Sequence, residues 1–373
     1  MKTIGRLAVM TAVAAAFVLG PIGRSDGADL LGKLKAKAKA EATKAAKKKA
    51  AELLKIKQPE APKDVEDTIM GEYVGTFTPA GGKSTPAEAK VAGYGQKDKV
   101  TSWNVVLLTP PVTTDKKIDG KVMKVELKAQ PADRGASIDE KGWKGTVCCG
   151  ALSVKSATGT FEMKSAVRKS PTLCAKPPAG AVVLLPYKEG EPPSLAAWSN
   201  KKWVALDDGS MMRRGGSTVT NEPFGSFKLH VEFRCPYEPH RKGQGRGNSG
   251  VYFHGKYEVQ VLDSFGLVSR MGDCGAIYGV RIPSFNASLP PTRWQTYDVI
   301  FHAPKFDAEG KMTRKPTFEE VRHNGLVIHK NVEVGKTTTA GMRGAAKASG
   351  PIMLQDHGND VRYRNIWLVP IKD

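Results

Sequence analysis

Four places in the C-terminal half of the chain gather side chains that could move protons or hold a polar ligand. The first is Tyr257-Glu258-Val259-Gln260-Val261-Leu262-Asp263, where Glu258 and Gln260, two residues apart, share one face of any strand they form. Asp263 falls at the end of that strand, where a bulge would turn it towards the same face; surface carboxylates beside a sheet edge are the plainer alternative. The second is residues 227–235, in which Lys228, His230, Glu232 and Arg234 alternate with Phe227, Leu229, Val231, Phe233 and Cys235. Four ionisable groups on one strand face read either as the wall of a polar cleft or as a solvated outer face. The third is Gln355-Asp356-His357, a proton-transfer imidazole with polar neighbours, and the fourth is Arg362, Arg364 and Asn365, suited to hydroxyl or carbonyl oxygens. A glycine-rich run, Gly243-Gln244-Gly245-Arg246-Gly247-Asn248-Ser249-Gly250, leads into Val251-Tyr252 and permits close backbone approach to a ligand. It lacks the Gly-Lys-Ser/Thr ending of a P-loop, and no helix follows it as a dinucleotide site would need.

Strands must carry these groups. Period-two alternation recurs over residues 227–235, 257–262 and 294–302, and Asn324-Gly325 between apolar runs marks a hairpin. Residues 352–354 and 361–369 complete a set of strands. Many antiparallel strands with one apolar face predict a two-sheet sandwich over residues 181–373, and no helix is long enough for a βαβ unit. Residues 60–180 predict a small β-rich module, with short runs at 72–78, 102–108, 121–127, 145–149 and 160–164. Trp103 and Trp143 in that module could stack on sugar rings or fill a core.

The remaining residues speak to location. Lys2 and Arg6 precede an apolar run over residues 7–19, which reads as a secretory signal within residues 1–28, or as an uncleaved N-terminal anchor. That signal leads to the expectation of export to the periplasm or beyond, and because no later segment is long and apolar enough to span a bilayer, the mature protein is expected to be soluble or peripheral. Residues 29–59 predict a Lys/Ala-rich helical arm. Between Lys33 and Lys57 ten lysines stand against Glu41 and Glu52, a net +8 of the chain's formal +20. Such an arm would tether to an anionic envelope polymer or act as a solvated linker; the β-domain has no nucleic-acid motif. Of five cysteines, Cys148 and Cys149 are adjacent, while Cys235 and Cys274 could pair or remain buried thiols.

The strings FGSFKLHVEFR, GQGRGNSGVYF, YEVQVLDSFG, DCGAIYG, WQTYDVIF, LQDHG and VRYRNIWLVP occur in one order over residues 181–373. Together they resemble the 3-keto-disaccharide hydrolase domain family. The resemblance implies a concanavalin A-like jelly roll and hydrolysis of glycosides already oxidised to a ketone at C3. In that chemistry the ketone acidifies C2–H, a base removes the proton, and the C1 glycosidic oxygen leaves with help from an acid. Glu258 and His357 are then the candidates for proton transfer, with Asp263 and Glu232 as alternatives. Arg234 and Arg364 would stabilise the enolate, and Asn248, Tyr252, Gln260, Gln355 and Asn365 would contact substrate. A divalent cation could replace an arginine as electrophile, with Glu232, Glu258, Asp263 and His357 as its ligands. A lectin-like module that binds glycans without cleaving them is the competing reading.

Overall fold

A computed structural model describes residues 69–96, 99–113 and 122–372, all within one compact unit, Asp64–Asp373. The signal segment and the lysine-rich arm lie outside the described residues. The expected all-β character holds: the described residues form two β modules and a single 3-10 turn (Gly243–Gly245).

The first module is a closed eight-stranded barrel. Its strands are β1 (Gly71–Pro79), β2 (Thr85–Gln96), β3 (Lys99–Thr109), β4 (Met123–Pro131), β5 (Ala136–Glu140), β6 (Trp143–Cys148), β7 (Ala151–Ser156) and β8 (Gly159–Ala166). Each pairs antiparallel with the next, and β1 closes on β8. Tyr73, Val91, Val105, Leu107, Val154 and Phe161 fill the interior, so the barrel is a packed core. Trp103 and Trp143 belong to that core. Cys148 ends strand β6, and Cys149, in the turn that follows, is exposed.

The second module contains β9 (Val182–Leu185), β10 (Val204–Ala205), β11 (Met211–Met212), β12 (Thr218–Val219), β13 (Phe227–Arg234), β14 (Ser249–Phe253), β15 (Tyr257–Val261), β16 (Gln295–His302), β17 (Lys305–Phe306), β18 (Met312–Arg314), β19 (Thr317–His323), β20 (Leu326–Glu333), β21 (Met353–Leu354) and β22 (Arg362–Pro370). A large sheet runs β10-β11-β22-β13-β16-β19-β20 with β9 added beside β22, and a small sheet runs β12-β21-β14-β15. Phe227, Leu229, Val231 and Phe233 of the large sheet and Val251, Phe253, Val259 and Val261 of the small sheet enter one hydrophobic core. The Asn324-Gly325 turn is present, with φ of 52° and 81°, the left-handed pair that a two-residue hairpin needs. Cys235 and Cys274 are buried free thiols, and Cys274 Sγ lies 3.1 Å from the Tyr297 hydroxyl.

Strand β2 joins the two modules. Its residues are buried without interruption from Ala87 to Gly93, because one face lines the barrel core and the other meets the sandwich. Lys90 donates to the Asn286 carbonyl, and burial lowers its ammonium to about 8. Arg168 donates to Glu72 at 2.9 Å and to the Ala287 carbonyl at 3.0 Å. Arg246 of the sandwich reaches the Gly93 carbonyl at 3.3 Å and lies 4.4 Å from the Tyr94 ring centroid, while its Nε holds Asp263 at 2.6 Å.

Both members of the Arg246–Asp263 pair are buried, so removing one strands the other's charge. Arg246→Ala is expected to lower stability by about 3–5 kcal/mol, measured by denaturant unfolding. A loss under about 1 kcal/mol would mean the pair adds little to the join.

Candidate functional site

The sequence-nominated residues separate into two groups on opposite faces of the sandwich. Alternation forces this. With Val231 and Phe233 in the core, Glu232 and Arg234 must point outward from the large sheet; with Val259 and Val261 in the core, Glu258 and Gln260 must point outward from the small one. The core lies between them.

On the large sheet Lys228 is exposed and Arg234 half-buried, but His230 and Glu232 are buried because residues 170–175 lie across them. Glu232 accepts from Arg364 Nε at 2.7 Å, from Asn365 Nδ2 at 2.9 Å and from the Cys174 backbone at 2.5 Å. His230 Nδ1 meets Asp298 at 2.6 Å, and Thr172 donates to the other Asp298 oxygen at 2.6 Å. Asn365 and Trp367 donate to the Ala175 carbonyl, and the Trp367 ring stacks on His230. Burial opposes charge on both His230 and Glu232. The hydrogen bonds to Asp298 and from His230, Asn365 and Arg364 outweigh it, so the histidine is raised and the carboxyl held below its ordinary value. Arg364 is stacked between Tyr187 and Trp294, at 4.2 Å from each ring centroid, and Arg234 lies 5.0 Å from Trp294. This is a closed, mutually satisfied network.

The small sheet is different. The register sets Tyr252 opposite Glu258 and Gly250 opposite Gln260. Gln355, just after β21, donates its backbone N–H to the Gly250 carbonyl. Asn248, Tyr252, Glu258, Gln260 and Gln355 therefore surround Gly250. Three of their buried amide oxygens have no hydrogen-bond partner, Asn248 Oδ1, Gln260 Oε1 and Gln355 Oε1, and the buried Tyr252 hydroxyl has only the Glu258 carboxyl beside it. Buried polar atoms left bare in one patch mark a place for a polar ligand or ordered water.

The amide orientations follow from the bonds they make. Asn248 Nδ2 donates to the Gln244 carbonyl at 2.7 Å and to Gln244 Oε1 at 3.1 Å. Gln260 Nε2 donates to Gln244 Oε1 at 2.9 Å and to the Gly272 carbonyl at 3.2 Å, and Gln244 Nε2 donates to Gly272 at 2.8 Å. The N–H groups of Asn248 and Gln260 are engaged by this network, and their oxygens are left over. Gln244 lay in the glycine-rich run but was not among the sequence-nominated residues; nothing in that run distinguishes it.

Glu258 is 3% exposed. Burial drives its carboxyl up to about 7, against an opposing pull from the Tyr252 phenol. Burial and the facing Glu258 push the Tyr252 phenol further up, so it stays protonated. Gly250 makes the arrangement possible: a Cβ there would lie 2.4 Å from Glu258 Oε1 and 2.7 Å from Tyr252 Cε2. The carboxyl and the phenol edge thus meet over one bare Cα.

The other nominees fall elsewhere. Asp263 is paired with Arg246, and its second oxygen accepts from the Phe265 backbone at 3.3 Å. His357 is exposed, beyond Asp356, which accepts from the Gly216 backbone and pairs with Arg213. Among the described residues no group of three or more His, Cys, Asp or Glu side chains is arranged to hold a metal ion, so Glu232, Glu258, Asp263 and His357 do not gather as one ligand set. A cleft of about 430 Å³ between barrel and sandwich, lined by Glu72, Arg168 and Thr292, shares no residue with the Glu258 patch.

Residues 182–369 match the family described as the 3-keto-alpha-glucoside-1,2-lyase-like domain, a stretch that takes in the sandwich and leaves out the barrel. No curated protein matches the chain. Among solved structures, a candidate glycosyl hydrolase from Parabacteroides distasonis is 34% identical over 52% of this chain and 85% of its own, with a TM-score of 0.46. A second from the same organism is 18% identical over 52% of this chain and 94% of its own, with a TM-score of 0.38. The carbohydrate-binding module CBM66 from Bacillus subtilis is 11% identical over 46% of this chain and 93% of its own, with a TM-score of 0.30.

Glu258 ties site to stability. Its folded value of about 7 lies above the ordinary 4.5, so the folded state favours the protonated form and loses stability as pH rises from 4.5 through 7. Glu258→Gln removes that loss. Its stability relative to the parent is expected to grow by about 2–3 kcal/mol between pH 5 and pH 8, read from denaturant midpoints. A pH-independent difference would mean that Glu258 titrates normally.

Proposed function

The chain belongs to the family of 3-keto-alpha-glucoside-1,2-lyase-like domains, and from that premise we propose that its sandwich cleaves the C1–O bond of 3-keto-glycosides at the Glu258 patch. One observation carries the reading: a buried carboxyl, poised near neutrality, stands in a ring of bare acceptors that fit sugar hydroxyls.

The chemistry follows from the ketone. A carbonyl at C3 acidifies the C2–H bond. Ionised Glu258 takes the C2 proton, and the bonding pair moves into an enolate on the C3 oxygen. When the carbonyl re-forms, the pair becomes the C1–C2 double bond and the C1–O bond breaks towards the leaving oxygen. That oxygen takes the proton from Glu258. Addition of water across C1–C2 would complete a net hydrolysis. A base with a value near 7 is stronger than an ordinary carboxylate yet still ionised at physiological pH. Asn248, Gln260 and Gln355 accept from ring hydroxyls and fix the sugar over Glu258. The leader-like residues 1–28 support export, the concanavalin A-like jelly roll is the architecture in which we place the two sheets, and an anionic envelope polymer is the partner proposed for the lysine-rich arm.

Product release from a 3-keto-glucoside and from its unoxidised parent tests the reading. Cleavage of the keto sugar alone is expected, with kcat/KM rising with pH through about 7 and then levelling. Glu258→Gln should reduce turnover at least about 10³-fold, whereas Glu232→Gln should leave it within about 5-fold, because Glu232 lies across the core. Binding of both sugars with cleavage of neither would replace the enzyme by a glycan-binding module. Cleavage of both would indicate an ordinary glycosidase.

A further inference from the structure

The ring around Gly250 has a polarity, and that polarity selects one substrate group. Asn248 Oδ1, Gln260 Oε1, Gln355 Oε1 and the Glu258 carboxylate are all acceptors. Hydroxyls satisfy them because each can donate. A ketone oxygen has no hydrogen to offer, and it is repelled by the Asn248 and Gln260 oxygens, whose N–H groups are engaged elsewhere, and by ionised Glu258. The Tyr252 hydroxyl, which faces the Glu258 carboxyl, is a donor in this ring that a ketone oxygen could engage. The guanidinium groups that might otherwise meet an oxyanion, Arg234 and Arg364, belong to the opposite face, where Arg364 is held by Glu232 and Tyr187.

We infer that Tyr252 is a catalytic residue: its hydroxyl donates to the C3 oxygen of the substrate and stabilises the enolate as Glu258 removes the C2 proton. This inference rests on the keto-glycoside reading and adds the group that distinguishes a ketone from an alcohol. The geometry suits it. Tyr252 and Glu258 are cross-strand partners, and the Tyr252 ring edge and Glu258 Oε1 crowd over the same Gly250 Cα. C2 and C3 are adjacent atoms, so their two partners must also be neighbours. Tyr252 is fully buried, where a fixed donor acts on developing charge without water competing for it. No proton need leave the phenol: it holds the enolate by a hydrogen bond and releases it when the carbonyl re-forms.

Tyr252→Phe deletes the hydroxyl and keeps the ring. In the full-length protein, with methyl 3-keto-α-glucoside as probe, its kcat should fall about 10²–10³-fold. Deuterium uptake at C2 from heavy water should fall by the same factor, while affinity for unoxidised methyl α-glucoside should change less than about 3-fold. A kcat within about 3-fold of the parent, or equal losses for keto and unoxidised sugar, would overturn the assignment. Site-specific 3-fluorotyrosine and 3,5-difluorotyrosine at position 252 preserve the fold and make the phenol more acidic. Turnover should rise along that series, and a flat series would also overturn it. The parent reading fails separately: a wild-type protein that cleaves no keto sugar removes the reaction itself, whereas an active wild type with an inactive Glu258→Gln and an unaffected Tyr252→Phe removes only the role of Tyr252.

Discussion

A strand in a two-sheet sandwich has one face in the core, and the polar residues at its alternate positions look the other way. That constraint decides which side chains can cooperate. Phe227, Leu229, Val231 and Phe233 anchor one sheet and Val251, Phe253, Val259 and Val261 the other, in a single core. Glu232 and Glu258 are thereby directed to opposite sides. Two carboxylates that look like partners along the sequence are separated by the apolar layer that makes the fold stable.

The two faces solve the problem of buried polarity in different ways. Glu232 is enclosed by Arg364, Asn365, His230 and the Cys174 backbone, so its charge has partners and its carboxyl is held ionised. Glu258 is nearly as buried, but the polar atoms beside it are bare and its carboxyl is driven towards neutrality. A satisfied buried network contributes fixed geometry. An unsatisfied one lowers stability, and it persists where a ligand can complete it. The contrast separates the faces: the bare acceptors lie on the small sheet and the paired charges on the large one.

Much of this could be read from the sequence. The alternation in residues 227–235 and 257–262 located β13 and β15, and the Asn324-Gly325 signal located the β19–β20 turn. Glu258, Gln260, Asn248, Tyr252 and Gln355, all nominated from the sequence, come together around Gly250 on one face of the small sheet. The false grouping of Glu232, Arg234 and Arg364 with them has a physical cause: alternation tells which residues share a strand face but not which sheet receives the strand. Nor could the sequence reveal that residues 170–175 cover the large sheet. In the barrel, β2 escaped detection because Thr85-Pro86-Ala87-Glu88-Ala89-Lys90-Val91-Ala92-Gly93 is poor in β-branched and aromatic residues. Its small side chains are what permit burial on both faces, as at Ala92, which packs against Gly266 of the sandwich.

The same join bears on the site. Arg246 touches Gly93 and Tyr94 of the barrel with one end of its guanidinium and Asp263 with the other. Two residues later comes Asn248, whose amide is bound to Gln244 two residues before Arg246. The loop from Gln244 to Asn248 is thus pinned in its middle to the barrel and at its ends to itself. Gly247, with φ of 57°, makes the turn between the pinned arginine and the amide, and its backbone N–H donates to Glu238 at 2.9 Å. Among the described residues the barrel supplies no side chain to the Glu258 patch, but it buries the arginine whose position sets the loop, and through that loop it fixes the Asn248 amide beside Gly250.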